Sequence, residues 1–370
     1  MDRNGDLQSR PETLMTRRDH SRPEVGGRGV RGLSLCAATT CALLASSAAR
    51  AAETPLDYWW THGSRAQSIA HLLWFSTAVS ILVIAIVSGL LLAGIFRRRG
   101  LPPPQMPGQA AINRPSGGAS WIYIGAGVST AVLVFTTVWT FGTLARTGPQ
   151  PGPAAVRLQI TAHQWWWEVR YLSDKPSEEF TTANEIHIPV GQVVEVKLRG
   201  PDVIHSFWVP KLAGKTDVIP GQENQTWLQA DHEGVYRGQC GEYCGQQHAH
   251  MAFEVIASPP DAYAQWRQQQ LQPAKATDAP EPQSGQGLFR TRCGICHTVR
   301  GTEAGGILGP DLTHVMSRRA IAADTVPNNT GNLAAWIADP QHIKPGNRMP
   351  RLGLSGEQLT LIRQYVETLK

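Results

Sequence analysis

Cysteine is scarce in this chain, with 6 among 370 residues. Cys36 and Cys41 lie in residues 1–52, where Arg17, Arg18, Arg22, Arg28 and Arg31 precede an apolar run over 33–45 and the small-residue stretch Ala48-Ala49-Arg50-Ala51-Ala52. That layout is expected of a secretory signal segment, which is removed. The remaining cysteines, Cys240, Cys244, Cys293 and Cys296, stand in two tight clusters, so no pair is left over for a disulfide framework. Charge is missing too. Residues 76–95 and 119–145 carry none, and no Asp or Glu occurs between Asp57 and Glu168. Uncharged runs longer than roughly 20 residues are membrane-span candidates and exclude an ordinary soluble domain there. The formal net charge of +5 does not point to nucleic acid, because much of the excess sits in the leader and around these apolar runs.

What stands at the cysteines points to metals. Cys240-Gly-Glu242-Tyr-Cys244-Gly-Gln-Gln-His248-Ala-His-Met251 puts two thiolates, an imidazole and a thioether on one loop. Soft sulfur with imidazole suits copper. The plainer reading is a disulfide, since three intervening residues can close a small loop. Cys293-Gly-Ile-Cys296-His297 is the c-type haem attachment pattern. His297 would then be the proximal iron ligand. The plainer reading is a redox-active Cys-x-x-Cys or half of a zinc site. No substrate-chemistry motif lies between the two clusters, and a copper loop followed by a haem c reads as an electron wire.

The length predicts two or three domains. Residues 53–150 are expected to form a transmembrane α-helical hairpin. Its apolar runs, 69–96 and 119–145, flank Arg97-Arg98-Arg99 and Arg114. The positive-inside rule puts that loop in the cytoplasm and both ends of the hairpin outside. Trp59, Trp60, Trp74, Trp121 and Trp139 are expected as interfacial anchors. Residues 151–257 alternate in Val156-Arg-Leu-Gln-Ile160, Glu185-Ile-His-Ile188 and Val193-Val-Glu-Val-Lys-Leu198, with Gly and Pro between the runs. Short alternating strands so punctuated predict a β-sandwich or barrel. Residues 258–284 read as a short helix over 261–271 and a linker rich in Pro, Ala and Gln. Residues 285–370 are expected to be a compact all-α domain ending in a helix, with Ser355 as N-cap and Gln358 at the capping-box position. The strand domain carries 8 Lys/Arg against 13 Asp/Glu, the last domain 10 against 6, and opposite signs favour docking of one on the other.

At this point a family resemblance becomes specific. His163-Gln-Trp-Trp-Trp-Glu168, His205-Ser-Phe-Trp-Val-Pro210, Lys215-Thr-Asp-Val-Ile-Pro-Gly221 with Asn224-Gln-Thr226, and the loop from Cys240 to Met251 together resemble subunit II of haem-copper cytochrome c oxidase. The form resembled is the bacterial caa type, whose C-terminus carries a fused cytochrome c. The resemblance covers nearly all of the chain after residue 52. It implies a cupredoxin-like β-sandwich with a binuclear copper centre. Cys240 and Cys244 would bridge both coppers, His205 and His248 would each bind one, and Met251 and the backbone carbonyl of Glu242 would be weak ligands. The Glu242 side chain would bind magnesium at the interface with subunit I, beside Asp217. Trp165 would be the aromatic through which electrons enter.

The resemblance also implies partners and a place. These are oxidase subunit I, subunit III, and cytochrome c or another periplasmic donor, at the bacterial inner (plasma) membrane, with the copper and haem domains on the periplasmic side. The implied function is electron acceptance for a proton-translocating respiratory terminal oxidase. The oxygen-reducing site would lie in subunit I, because this chain lacks the intramembrane histidines for it. The alternative is the copper-bearing small subunit of a nitric oxide reductase. One departure stands out. Many subunits II carry a Glu near the start of the second span, at the mouth of a proton channel, where this chain has Ser116-Gly-Gly-Ala-Ser-Trp121.

Single residues leave choices. His187 and His232 could be ligands or ordinary strand and turn residues, and His250 is expected to face solvent. Trp165, Trp166 and Trp167 could be core, because successive strand residues face opposite sides. Glu242 and Asp217 could be exposed acids. Methionine is the default sixth ligand of an electron-transfer haem, and residues 285–370 offer only Met316 and Met349. Met316 lies in a stretch, 314–319, that reads as helix. Met349 lies in Asn347-Arg-Met-Pro350, which is similar to the methionine loop of small cytochromes c, and is the expected ligand. Gly309-Pro310-Asp-Leu312 resembles the loop flanking the proximal histidine.

Overall fold

The computed structural model describes residues 56–97, 118–148, 150–275 and 280–370. The expected leader, with Cys36 and Cys41, and Arg98, Arg99 and Arg114 of the basic loop lie outside the described residues.

Two long helices come first. Helices α1 (Ser64–Phe96) and α2 (Gly118–Thr147) are long and apolar enough to cross a membrane. At 1.5 Å per residue, the 33 residues of α1 span about 50 Å. Most of their large apolar side chains are exposed, which suits contact with lipid. The helices meet through Phe75, 5.3 Å from Phe135 and 5.1 Å from Trp139 between ring centres. Trp139 therefore serves the helix–helix contact rather than anchoring alone at an interface. Trp74 packs on Trp59 at 4.7 Å and on Trp60 at 5.8 Å, so these three do cluster at one end. The start of α1 is tied to the next domain: Ala66 N donates to Leu212 O (3.2 Å), and Arg65 donates to Trp227 O (3.2 Å).

Alternation then decides the strands. Strand β1 (Val156–His163) buries Val156, Leu158, Ile160 and Ala162 and turns the residues between them outward. It pairs antiparallel with β2 (Trp166–Leu172) and parallel with β5 (Val194–Arg199). With β3 (Phe180–Ala183) and β8 (Asn224–Leu228) they form a sheet ordered β3-β2-β1-β5-β8. The second sheet is ordered β4-β10-β9-β6-β7, from β4 (Glu185–Pro189), β6 (His205–Trp208), β7 (Thr216–Val218), β9 (Gly234–Cys240) and β10 (Ala252–Ser258). The two sheets share one core that includes Trp167, Tyr171, Phe207 and Phe253. This is the expected sandwich, and the loop over 241–251 joins β9 to β10.

Helix α3 (Pro260–Leu271) follows the sandwich and stacks Trp266 on His187 at 4.0 Å. The last region is helical, with α4 (Pro280–Arg292), α5 (Thr330–Ala338), α6 (Pro340–Ile343) and α7 (Gly356–Val366). Phe289, Val299, Leu333, Ile362 and Tyr365 belong to its separate core. Ser355 and Gln358 form the expected capping box of α7. Over 314–319 the expected helix shrinks to a 3-10 turn, Val315–Ser317. Its backbone groups are taken up elsewhere: Met316 N donates to Leu369 O (2.9 Å), and Asn328 Nδ2 donates to the carbonyls of Val315 (2.8 Å) and Arg318 (2.9 Å). Short strands β11 (Ala320–Ile321) and β12 (Val326–Pro327) follow. Between them Ala322, Ala323 and Asp324 are all left-handed, with φ of 57°, 58° and 56°.

Candidate copper and haem sites

Strand pairing assembles the first site. β6 runs beside β9 with Phe207 opposite Cys240, which brings His205 to the end of β9 where the sulfur loop starts. His205 Nδ1 lies 3.9 Å from Cys240 Sγ. The two sulfurs, Cys240 Sγ and Cys244 Sγ, are 3.8 Å apart. A disulfide needs about 2.05 Å, and both cysteines are free. His248 Nδ1 is 3.6 Å and Met251 Sδ 3.8 Å from Cys244 Sγ, and the Glu242 carbonyl is 3.2 Å from Cys240 Sγ. The ligand atoms of His205, Cys240 and Cys244 all lie within 4.8 Å of one another. All six candidate copper residues therefore converge. Two thiols, two imidazoles and a thioether, mostly buried, fit a soft metal such as copper and not a hard cation.

The electrostatics favour a single thiolate, on Cys240. The Cys240 thiol is held well below its ordinary value, first because Cys244 hydrogen-bonds to its sulfur and then because His205 does, against the cost of burial. Cys244 is driven up by the same shared proton. Burial opposes a charged His205, but Asp202 and then Cys240 outweigh it and raise its pKa. Asp202 accepts from His205 Nε2 at 2.9 Å and from the amides of Gln164 and Val203. Burial raises its pKa, yet these bonds bring it down to about 2. A carboxylate behind a ligating imidazole fixes the ring's tautomer and aims the other nitrogen at the metal. Asp202 was not singled out from sequence; its spacing of three before His205 was the available signal.

The three tryptophans separate by environment. Trp167 is fully buried, 5.9 Å from Phe207 and 5.2 Å from Phe253, and is core. Trp166 stacks on His163 at 4.6 Å. Trp165 precedes β2 and is 9 % exposed. Its indole Nε1 donates to Cys244 O at 2.9 Å, and Gln164 Nε2 donates to the same carbonyl at 2.8 Å.

Other candidates fall away from the copper cluster. His187 pairs with Glu185 at 2.8 Å, and His232 lies against His62 at 5.5 Å. His250 is exposed, as expected, with Nδ1 2.7 Å from Gln247 Oε1. Glu242 and Asp217 are brought together, but around Lys215, whose Nζ donates to them at 3.0 and 3.4 Å.

In the last region Cys293 ends beside α4, and His297 Nδ1 donates to Pro310 O at 2.9 Å. That bond leaves Nε2 as the nitrogen open to an iron. Burial lowers the His297 pKa, with the Pro310 carbonyl opposing, so the ring is held neutral as a ligand must be. A Cβ at Gly309 would sit 2.7 Å from His297 Cε1, so only glycine allows this packing. Ile295, Ile307 and Leu308 expose large apolar surface around the attachment pattern, which fits a covering porphyrin. Met316 packs into the haem-domain core. Met349 instead sits on a loop braced by Gln341, whose Nε2 donates to the carbonyls of Asn347 and Met349 at 2.8 Å each.

The two regions touch at the copper loop. Gln247 Nε2 donates to Pro345 O (2.8 Å) and Ala252 N to Ala323 O (3.3 Å). Arg319 pairs with Glu254 (2.9 Å), Arg348 with Asp202 (3.5 Å), and Arg237 with Asp324. Lys344 Nζ donates to Trp165 O (2.7 Å), His250 O (2.6 Å) and Ala322 O (3.1 Å).

Known proteins carry the same two modules. The family profile "Cytochrome C oxidase subunit II, periplasmic domain" matches residues 170–258, and that of "Cytochrome c" matches 282–370. Cytochrome c oxidase subunit 2 of Alkalihalophilus pseudofirmus is 36% identical over 305 residues, 79% of this chain and 85% of that one. The protein of the same name from Bacillus sp. (strain PS3) is 33% identical over 228 residues, 58% of this chain and 62% of its own length. Among solved structures, the periplasmic domain of subunit II of cytochrome oxidase of Bradyrhizobium japonicum aligns at 31% identity and a TM-score of 0.30, covering 33% of this chain and 96% of that domain.

Proposed function

Because the chain belongs to the cytochrome c oxidase subunit II family, we propose that it takes electrons onto its own haem c and passes them through a binuclear copper centre to subunit I, where oxygen is reduced to water. Bound copper and haem would supply one-electron redox chemistry at nearly constant geometry; the chain supplies everything else. Cys240, Cys244, His205 and His248 would hold the copper, with Met251 and the Glu242 carbonyl as weaker donors. Cys293 and Cys296 would attach the haem, and His297 and Met349 would supply the iron with an imidazole and a thioether. Asp202 orients His205. Trp165, Phe207 and Phe253 share the sandwich core with Cys240, Cys244 and Met251, and Trp165 is where electrons enter.

One observation carries this reading: Trp165 bonds to Cys244 O on one side and, through its own carbonyl, to Lys344 on the other, five residues before Met349. The chain divides at 53–150, 151–257, 258–284 and 285–370 after a leader over 1–52. The hairpin holds it in the bacterial inner membrane with both cofactor domains on the periplasmic side, against subunits I and III. Magnesium at that interface would draw on Glu242, and Lys215 must give way for it. The donor is cytochrome c or another periplasmic protein.

Metal analysis of the purified complex should find two coppers and one haem per chain, the haem resisting acid acetone. One copper, or extractable haem, would refute the corresponding site. Consumption of nitric oxide in place of oxygen would overturn the terminal step.

A further inference from the structure

Lys344 is 2 % exposed, and no carboxylate pairs with it among the described residues. A buried ammonium is expensive unless its protons are all taken up. Its three donors go to three carbonyls on three separate segments. One is Trp165, just before β2. Another is His250, on the copper loop. The third is Ala322, on the left-handed turn between β11 and β12. Burial pulls the Lys344 pKa down to about 7, and the charge of Cys244 opposes that.

The turn is the second observation. Three successive non-glycine residues in the left-handed region cost conformational energy and persist only where surroundings hold them. Each has a partner here. Ala322 O accepts from Lys344, Ala323 O accepts from the Ala252 amide of β10, and Asp324 pairs with Arg237 of β9. The left-handed turn thus aims its polar groups at the sandwich. Gly346 has φ of 81°, and a Cβ there would lie 2.8 Å from Gln246 Oε1, so the backbone of the methionine loop packs on a side chain of the copper loop.

We propose that Lys344 is a positioning residue: a buried clamp that, with the turn over 322–324, holds the loop bearing Met349 against Trp165 and the copper loop. The opposite net charges of the two domains then steer the encounter, and Lys344 sets its final geometry. The ion pairs Arg319–Glu254 and Arg348–Asp202 are open to solvent on the arginine side, with side-chain exposures of 58% and 64%, and are screened by salt. The Lys344 contacts are shielded from it. Its value for electron transfer rests on the proposed haem-to-copper route, but the clamp is a statement about docking and is tested without electrons.

Amide hydrogen exchange on the purified complex reads the docking directly. The Ala252 amide donates to Ala323, and the Arg319 amide donates to Glu185 Oε2 at 2.9 Å, both across the contact. In Lys344→Met these two amides should exchange about tenfold faster or more, as the loss of charge-assisted hydrogen bonds implies. Amides within β1 and β5 should not change. Unchanged exchange at Ala252 and Arg319 would overturn the clamp. Should the variant lose protection in β1 and β5 as well, the unsubstituted complex decides. Its Ala252 and Arg319 protection should survive 1 M salt, at roughly a 3 Å Debye length. Loss of protection at that salt would mean that the exposed ion pairs, not Lys344, hold the contact. Haem-to-copper transfer, followed by flash reduction, should slow in Lys344→Met and become salt-dependent. Intact docking without transfer would refute the proposed electron route and leave the clamp standing.

Discussion

Replacing Trp165 by phenylalanine separates an electron-transfer role from a packing role. The indole is nearly buried and donates one hydrogen bond, to Cys244 O. Phenylalanine keeps most of the ring but loses that bond. The carbonyl is not orphaned, because Gln164 Nε2 still donates to it at 2.8 Å. The cost is therefore one net hydrogen bond plus a modest loss of apolar area, about 1–2 kcal/mol. The lost N–H reaches the proposed ligands at Cys244 O, which keeps its Gln164 donor, so both coppers should remain. Trp165→Ala is a poorer probe, since truncating a buried tryptophan costs about 3–5 kcal/mol and leaves a cavity beside the cluster. In stopped-flow reduction of the complex, Trp165→Phe should bind copper normally, unfold slightly earlier, and show slower copper reduction by the haem. Trp166→Phe should match the parent in rate. Trp167→Phe should lose stability, because Trp167 fills the core against Phe207 and Phe253 and donates to Met251 O at 3.4 Å, with little effect on rate in the molecules that keep copper. A parental rate in Trp165→Phe, with slowing in either neighbour, would move the point of electron acceptance. Loss of copper in all three would make the run core packing alone.

Met349→Ala should turn the haem high-spin or let it bind cyanide, with the copper spectrum unchanged. Met316→Ala should cost about 2 kcal/mol of stability and stay low-spin, and the reverse outcome would exchange the axial assignment. Asp202→Ala removes the partner of His205 Nε2, so copper affinity in chelator competition should fall about 10–100-fold; an unchanged affinity would deny Asp202 its orienting role. Gly309→Ala should push the His297 ring off Pro310 O and spoil the low-spin spectrum while haem stays attached through Cys293 and Cys296, and a parental spectrum would show that the ring has room to move.

Much was legible early because much of the chemistry is local. The sulfur loop carries Cys240, Cys244, His248 and Met251 within twelve residues, so their convergence is nearly guaranteed by chain connectivity. The attachment pattern at Cys293 is equally compact. The hairpin needed only length and absent charge, and the strands needed only period-two burial in β1 and β5. The capping box at Ser355 and Gln358 is a three-residue spacing. His205 was harder. It lies far from the loop in sequence, and only family likeness placed it there before the β6–β9 pairing brought it to Cys240.

Sequence by itself therefore determined the succession of modules and the local clusters of candidate donors, because spacing and periodicity are properties of neighbouring residues. Tertiary structure alone decided how the tryptophans meet the copper loop: Trp165 donates to Cys244 O, and Trp167 donates to Met251 O from inside the core. Trp165 lies just before β2, so no strand alternation governs it, and its direction follows from bonds to Cys244 and Lys344. Asp202 became the partner of His205 only when the turn before β6 closed on the Gln164 and Val203 amides. The docking of the haem domain shows the same division. Opposite net charges were countable in advance, but charge sums act over the whole surface. Three carbonyls meeting at one buried ammonium require three distant segments to be packed first.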